Sequence, residues 1–478
     1  MKISPCLEVN KERLKKIFSS DDVVFADYAL KGRAVTAVFV DSLTDKKQLS
    51  LSVIEPLKKE KKCPSAQKAS TLIPLAGTSL IPTTEDAESE VLAGKTIVLF
   101  DKSPVALSVD VKKFDSRAIA EPPTSTVVKG PREGFTENIK TNLSLVRRRI
   151  KSKFLKVENF KAGRYTQTDI SLVYLNSIAE DSLVKKVREK IKKIKIDGIP
   201  DSSYVAKIIT DHKTSVFKQT GGTEKPDILC AKLLEGRVGI IVDGSPIVIT
   251  APYVLFEDFQ SAEDYYQNNY RSNMARAIRF VSLAIAVLLP AAFVSAQLFH
   301  LQVIPLNFLL TIVSSIKGIP LSPSFEMFFT LLIFEILNEA SVRMPKYVGM
   351  ALSIVGALVL GDTAVRAGIV STPTILIMAL SGICLYTVPE LVDSMSFLRL
   401  IYLLVAGSMG AYGLILVTAF ITIYLTSMEN FDVPFLAPFA PMVKEDFKDS
   451  FYMTFVPNMV NRPLTFKPKD KVRMKCDE

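Results

Sequence analysis

The chain has 478 residues and a mass of 52.8 kDa, too long for one compact core, so two or three domains are expected. It carries 59 Lys+Arg against 49 Asp+Glu, and 48% of its residues are hydrophobic, which excludes an intrinsically disordered chain. Charge is unevenly spread: residues 276–428 hold 13 charged side chains in 153 positions while the other 325 hold 95, so a membrane part joined to a soluble part is expected.

The N-terminus, MKISPCLEVNKERLKK, has no apolar run and does not read as a secretory signal, so the first 270 residues are expected in the cytoplasm. Two soluble stretches resemble each other. GKTIVLFDKSPVALS (94–108) aligns without gaps on GRVGIIVDGSPIVIT (236–250), with Gly94/Gly236, Asp101/Asp243, Ser103/Ser245 and Pro104/Pro246 identical. Each predicts a strand, a D-x-S-P turn and a second strand. VTAVFVDSL (35–43) and ISLVYLNSI (170–178) repeat the pattern more weakly. The soluble region is therefore read as α/β (α+β), with two similar subdomains over 1–120 and 132–260 and a proline-rich connector at 121–131.

A helix is expected from Glu133 to about Ser152. Lys129 to Arg164 carries 11 basic and 3 acidic residues, and Lys185 to Lys195 carries 7 and 1. Such patches suit anionic lipid headgroups or nucleic acid; beside a membrane, lipid or partner contact is favoured over nucleic acid, and a plain solvated face is the commonest outcome. Gly221 and Gly222, in KQTGGTEKPD, read as a flexible turn.

An all-α transmembrane bundle is expected over 261–428, with spans near 280–300, 347–369, 371–392 and 400–428. Arg271, Arg276 and Arg279 place the start of the first span on the cytoplasmic side, and the basic run from Arg462 to Lys475 places the tail, 429–478, there too. Both ends inside require an even number of crossings: four, or six if two are short. Residues 305–343 are broken by three prolines and Gly318, and read as either an interfacial amphipathic helix or a re-entrant segment. Glu335, Glu339 and Arg343 share one helix face as a self-neutralising ladder. Asp362 and Arg366 pair at the same spacing, facing a bundle interior or watery path, or else anchoring at the boundary. Gly349, Ser353, Gly356, Ala357 and Gly361, and later Gly407, Gly410 and Gly413, form small-residue faces for close helix packing within the chain or between copies.

Catalytic chemistry has no visible home. There is no GxGxxG, Walker A, HExxH or GxSxG, and five scattered cysteines with two histidines make no metal site, so neither an enzyme nor a cofactor is expected.

From the connector onward the chain resembles the A subunit of GerA-type spore germinant receptors. EPPTSTVVKGPREGFTENIKTNLSLVRRRIK (121–151), GRVGIIVDGSP (236–246), SAEDYYQ (261–267), FEILNEASVRMPKYVGMALSIVGALVLG (334–361) and FDVPFLAPFAP (431–441) carry the resemblance. It implies an integral protein of the spore inner membrane that acts with a transporter-like B subunit and a lipoprotein C subunit. It also implies self-association, as a pentamer, into a nutrient-gated cation channel that triggers germination. The family often carries acidic residues where this chain has Lys317, Leu331 and Arg366, leaving Glu326, Glu335, Glu339 and Asp362 to attract cations. On this reading Gly349–Gly361 lines the pore beside Ser353 and Gly356, and Leu358, Val359 and Leu360 form a hydrophobic gate. The alternatives are a SpoVA-associated branch of the same family and a non-conducting scaffold that clusters receptor partners.

Overall fold

Strand-forming residues recur in the same order in both halves of the N-terminal region, and in the computed structural model they build the same sheet twice. The structure describes residues 1–30, 33–60, 64–75, 77–113, 129–343 and 359–474. In the first half, helix α1 (Leu7–Ile17) leads into β1 (Val23–Leu30) and β2 (Arg33–Val40). Then follow β3 (Thr78–Ile81), helix α2 (Thr84–Leu92), β4 (Thr96–Phe100) and β5 (Ala106–Val109), paired antiparallel in the order β1-β2-β4-β5-β3. In the second half, α3 (Ile139–Arg149), β6 (Leu155–Ala162), β7 (Thr168–Leu175), α4 (Asp181–Lys192), β8 (Gly221–Thr223), α5 (Pro226–Leu234), β9 (Val238–Val242) and β10 (Val248–Ala251) give the order β6-β7-β9-β10-β8.

The aligned stretches 94–108 and 236–250 are β4-turn-β5 and β9-turn-β10. Gly94 (φ +88°) and Gly236 (φ +96°) each close the helix before the strand, a left-handed position that favours glycine. In the turn itself Lys102 (φ 60°) stands where the other copy has Gly244 (φ 85°). β4 and β9 are buried along their whole length because apolar side chains cover both faces: Val238, Ile240 and Val242 join one core cluster and Ile241 another. That is why both read as unbroken apolar runs.

Three local expectations differ from the fold. The helix expected over 133–152 is the shorter α3, because Asn138 caps it by accepting from the N–H groups of Lys140 (2.9 Å) and Thr141 (3.3 Å). Gly221-Gly222 is an edge strand, with Gly221 opposite Thr250 and Gly222 opposite Ile249. Half of the basic side chains in the two patches, nine of 18, are held in ion pairs. Arg147 is buried and holds Asp22 of the other half through Nε (2.7 Å) and Nη2 (2.8 Å), and Arg188 holds Glu158. The segment after residue 428 returns to the N-terminal region. Lys469 N–H donates to the Ile178 carbonyl (2.8 Å) and Arg462 Nε to that of Leu234 (2.8 Å), so it folds onto the second half.

The C-terminal helices are α6 (Asn269–Phe299), α7 (Leu306–Ile316), α8 (Pro323–Arg343), α9 (Thr372–Leu385) and α10 (Val392–Ser427). Asn269–Phe299 and Pro389–Ser427 are long and apolar enough to cross a membrane. α10 is not straight. Gly410 has φ 61° and ψ −144°, and the chain doubles back there. Tyr402 Oη lies 3.0 Å from Thr418 Oγ1, eight residues to either side of Gly410. A continuous helix would separate these residues by about 24 Å. The two arms, 392–409 and 411–427, share one core cluster with α6. The single span expected over 400–428 is thus one arm of a hairpin and part of the other.

Both feet of the hairpin stand on the second subdomain: Ser394 Oγ donates to the Val216 carbonyl (2.8 Å), and Asn430 Nδ2 donates to that of Gln219. Its tip lies at the far end, Gly410 against Phe299 and Gly407 against Ser324. α8 consequently runs back from the far end, where Ser324 sits, towards the domain end, where Asn338 meets Tyr386. It lies lengthwise in the bundle, where its apolar face packs Met327 and Leu331 against Phe293, Met378 and Leu403. α9 runs the same way, from Ser371 beside Glu326 to Leu385 and Val388 beside Phe217 and Tyr253. It stops after 14 residues, short of the span expected over 371–392. Most of the span expected over 347–369 lies outside the described residues.

Candidate functional site: charges in the bundle and at its domain end

Ionisable side chains among apolar helices are costly unless paired, so the ones present mark where the bundle does something other than pack. Arg399, on the first arm of α10, is fully buried. Its Nη2 lies 2.6 Å from Glu335 Oε1, its Nη1 donates to Ser381 Oγ (3.0 Å), and its guanidinium stands 5.5 Å from the Phe334 ring. Ser381 Oγ donates in turn to the Ala286 carbonyl (2.6 Å), so one polar chain links α6, α8, α9 and α10. Glu335 therefore leaves the ladder expected along its own helix: Glu339 and Arg343 pair with each other and are exposed, while Glu335 points to Arg399.

Glu326 is the second buried charge. Its Oε1 accepts from the Ser371 N–H and Oγ, each at 2.6 Å, and among the described residues its Oε2 has no partner. Asp362 and Arg366 do pair (2.8 Å), but on an exposed face. Beside them a cavity of about 390 Å³ is walled by Thr330, Phe334, Leu337, Gly361, Ala364 and Met378. Gly349, Ser353, Gly356, Ala357 and Leu358 lie outside the described residues, and for Val359 and Leu360 only the backbone is described, in the helical turn Val359–Thr363. Among the described residues, none lies within 4 Å of where a Gly361 side chain would go. Gly407, Gly410 and Gly413 instead touch Ser324, Phe299 and Val405, so their small-residue face serves contacts within the chain.

A denser network, which sequence reasoning missed, fills the domain end. Glu257, on the turn after β10, is buried between Lys232 (3.0 Å) and Arg237. Asp264 takes both Arg276 (3.1 Å) and Arg279 (2.8 Å), and Arg276 also reaches Asp449 (3.2 Å). Lys218 bridges Asp258 (3.0 Å) to Glu390 (2.7 Å) at the foot of the hairpin. Second subdomain, α6, hairpin and C-terminal segment are thereby joined through charge, around a cavity of about 320 Å³. Gly221 has no room for a side chain here because Glu257 and Thr250 crowd it. Burial would raise the Glu257 carboxyl, but the Lys232 and Arg237 cations hold it below the ordinary range.

Burial lifts Asp258 to about 6, against the pull of Lys218. A folded carboxyl that holds its proton more tightly than the unfolded one adds stability on acidification, and that gain is lost as pH rises through 6. Wild type is expected to gain about 2 kcal/mol more than Asp258→Asn between pH 7 and pH 4 from this group. Denaturant midpoints of both proteins at the two pH values measure it; parallel profiles would refute it.

With this architecture in view, comparison with known proteins is decisive. A family profile described as Bacillus/Clostridium GerA spore germination protein matches residues 10–465. The chain belongs to the GerA family. It is 35% identical to spore germination protein KA of Bacillus subtilis (strain 168), over 100% of this chain and 89% of that protein. It is 31% identical to spore germination protein GerLA of Bacillus cereus, over 97% and 96%. The crystal structure of the N-terminal domain of the A subunit of the Bacillus megaterium spore germinant receptor GerK3 is 28% identical. It covers 53% of this chain and 98% of that one, with a TM-score of 0.43. The GerA resemblance read from the connector onward therefore extends over nearly the whole chain, including the first subdomain, where the motifs were too few to carry it.

Proposed function

We propose that the chain is the A subunit of a spore germinant receptor, an integral protein of the spore inner membrane that works with a transporter-like B subunit and a lipoprotein C subunit. The observation that carries this reading is the match of the GerA profile over residues 10–465. The bundle supplies the physical means. α6, α8, α9 and the two arms of α10 make five passes between the domain end and the far end, and the chain both enters and leaves the bundle at the domain end. Five described passes favour the six-crossing alternative over the four-crossing one, with both ends on the same side. The domain end carries the cytoplasmic subdomains, with Arg276 and Arg279 at the boundary.

In this proposal several copies assemble around a cation pathway. Val359 and Leu360 close it by dewetting, and Asp362 raises the local cation concentration. Nutrient binding elsewhere in the receptor shifts a closed–open equilibrium, and the charge network joining the second subdomain to the foot of the hairpin transmits the shift. Deleting the chain from its spore-forming host is expected to abolish germination in response to one class of nutrient while sparing others. Loss of refractility across a nutrient panel reads this out, and an unchanged response to every nutrient would contradict the proposal.

A further inference from the structure

The C-terminal segment returns to the point where α6 begins its apolar run. Asn273 holds it there from both sides: its Nδ2 donates to the Met453 carbonyl (3.0 Å) and its Oδ1 accepts from the Met453 N–H (2.6 Å). The Phe451 ring packs 5.2 Å from that of Phe280, the first residue of the uncharged run 280–299, and the Phe455 ring meets Tyr270 edge-on at 6.3 Å. Met453 is buried by this docking, yet Phe451, Tyr452, Phe455 and Val456 are each about half exposed.

That exposed patch does not stop at the segment. On α6, Tyr270, Met274, Ile278 and Val281 are all exposed, and their spacing of four, four and three puts them on one helix face. Val281 already belongs to the apolar run. One continuous apolar stripe thus climbs from the C-terminal segment, past Tyr270, onto the part of α6 that faces hydrocarbon. Aromatic side chains with a polar edge favour the headgroup level of a bilayer, where the ring is desolvated and the hydroxyl stays wet.

We propose that residues 451–456 are a membrane-interface anchor, with Phe451, Tyr452 and Phe455 embedded at the level of the lipid headgroups beside the first turns of α6. This rests on α6 crossing the membrane. The segment is continuous with the C-terminal residues folded on the second subdomain, so the anchor fixes the height of that subdomain above the bilayer.

The chain contains no tryptophan, so a single introduced one reports without background. Full-length Phe455→Trp, Tyr452→Trp and Val281→Trp proteins are reconstituted separately into liposomes whose lipids carry bromine at the top of the acyl chains. The expected result is at least twofold quenching of all three by brominated lipid, with Trp at 452 and 455 protected from aqueous iodide. Quenching of Val281→Trp alone, with the other two open to iodide, would overturn the anchor and leave α6 in the membrane. Protection of 452 and 455 from both quenchers would overturn it in favour of a protein contact with a second copy. Absence of lipid quenching at all three sites would overturn the membrane assignment of α6 and the anchor with it.

Discussion

Glu335→Ala is expected to destabilise the bundle by about 3–5 kcal/mol, because it removes the anion and leaves the fully buried Arg399 guanidinium without a countercharge. Ser381 supplies one neutral acceptor and the Phe334 ring a weak electrostatic partner, and neither replaces a carboxylate 2.6 Å away. The cost is that of an orphaned charge, so it should vanish when both partners become apolar. The double variant Glu335→Leu with Arg399→Met is expected to lie within about 1 kcal/mol of wild type. Thermal unfolding of the detergent-purified proteins separates the two cases. Equal destabilisation of single and double variants would mean that the pair is held for its packing volume, with its charge irrelevant.

Gly410→Val is expected to be nearly as damaging. The backbone at φ 61° and ψ −144° is a region that residues with a side chain rarely occupy, at a cost of about 1–3 kcal/mol. An added Cβ would also lie 2.8 Å from the Phe299 ring, which must move and open the far end of the bundle. The variant should show a lower unfolding temperature and a broadened gel-filtration peak. Gly361→Ala is the control, since none of the described residues lies within 4 Å of the position its Cβ would take. A Gly410→Val protein as stable as Gly361→Ala would mean that the chain does not double back at residue 410.

These two sites also show what sequence could reveal. The duplicated sheet was legible because its signal is local: Asp101-x-Ser103-Pro104 and Asp243-x-Ser245-Pro246 prescribe a turn, and the β-branched runs beside them prescribe strands. The reversal at Gly410 was hidden because hydropathy is uniformly high from Leu400 to Met428, and a doubling-back needs only one residue free to adopt a positive φ. AGSMGAYG (406–413) suggests close packing, but the side chains that Gly410 and Gly407 meet, Phe299 and Ser324, are about a hundred residues away in the chain. Pairing of Glu335 with Arg399 was invisible for the same reason: spacing along α8 offered Glu339 and Arg343, and the true partner lies 64 positions on. The basic patch at 129–164 illustrates the converse. Composition counts charges without showing that Arg147 is buried against Asp22.

The central claim is that copies of this chain form a cation pathway gated near Val359. Potassium flux from liposomes holding the purified full-length protein tests it most directly, with wild type and Val359→Ala compared at equal protein-to-lipid ratio. The account predicts tight vesicles for wild type without nutrient and a leak at least tenfold faster for Val359→Ala, selective for monovalent cations over choline. Identical, background-level flux from both proteins would contradict it and favour a scaffold that leaves ion movement to another subunit.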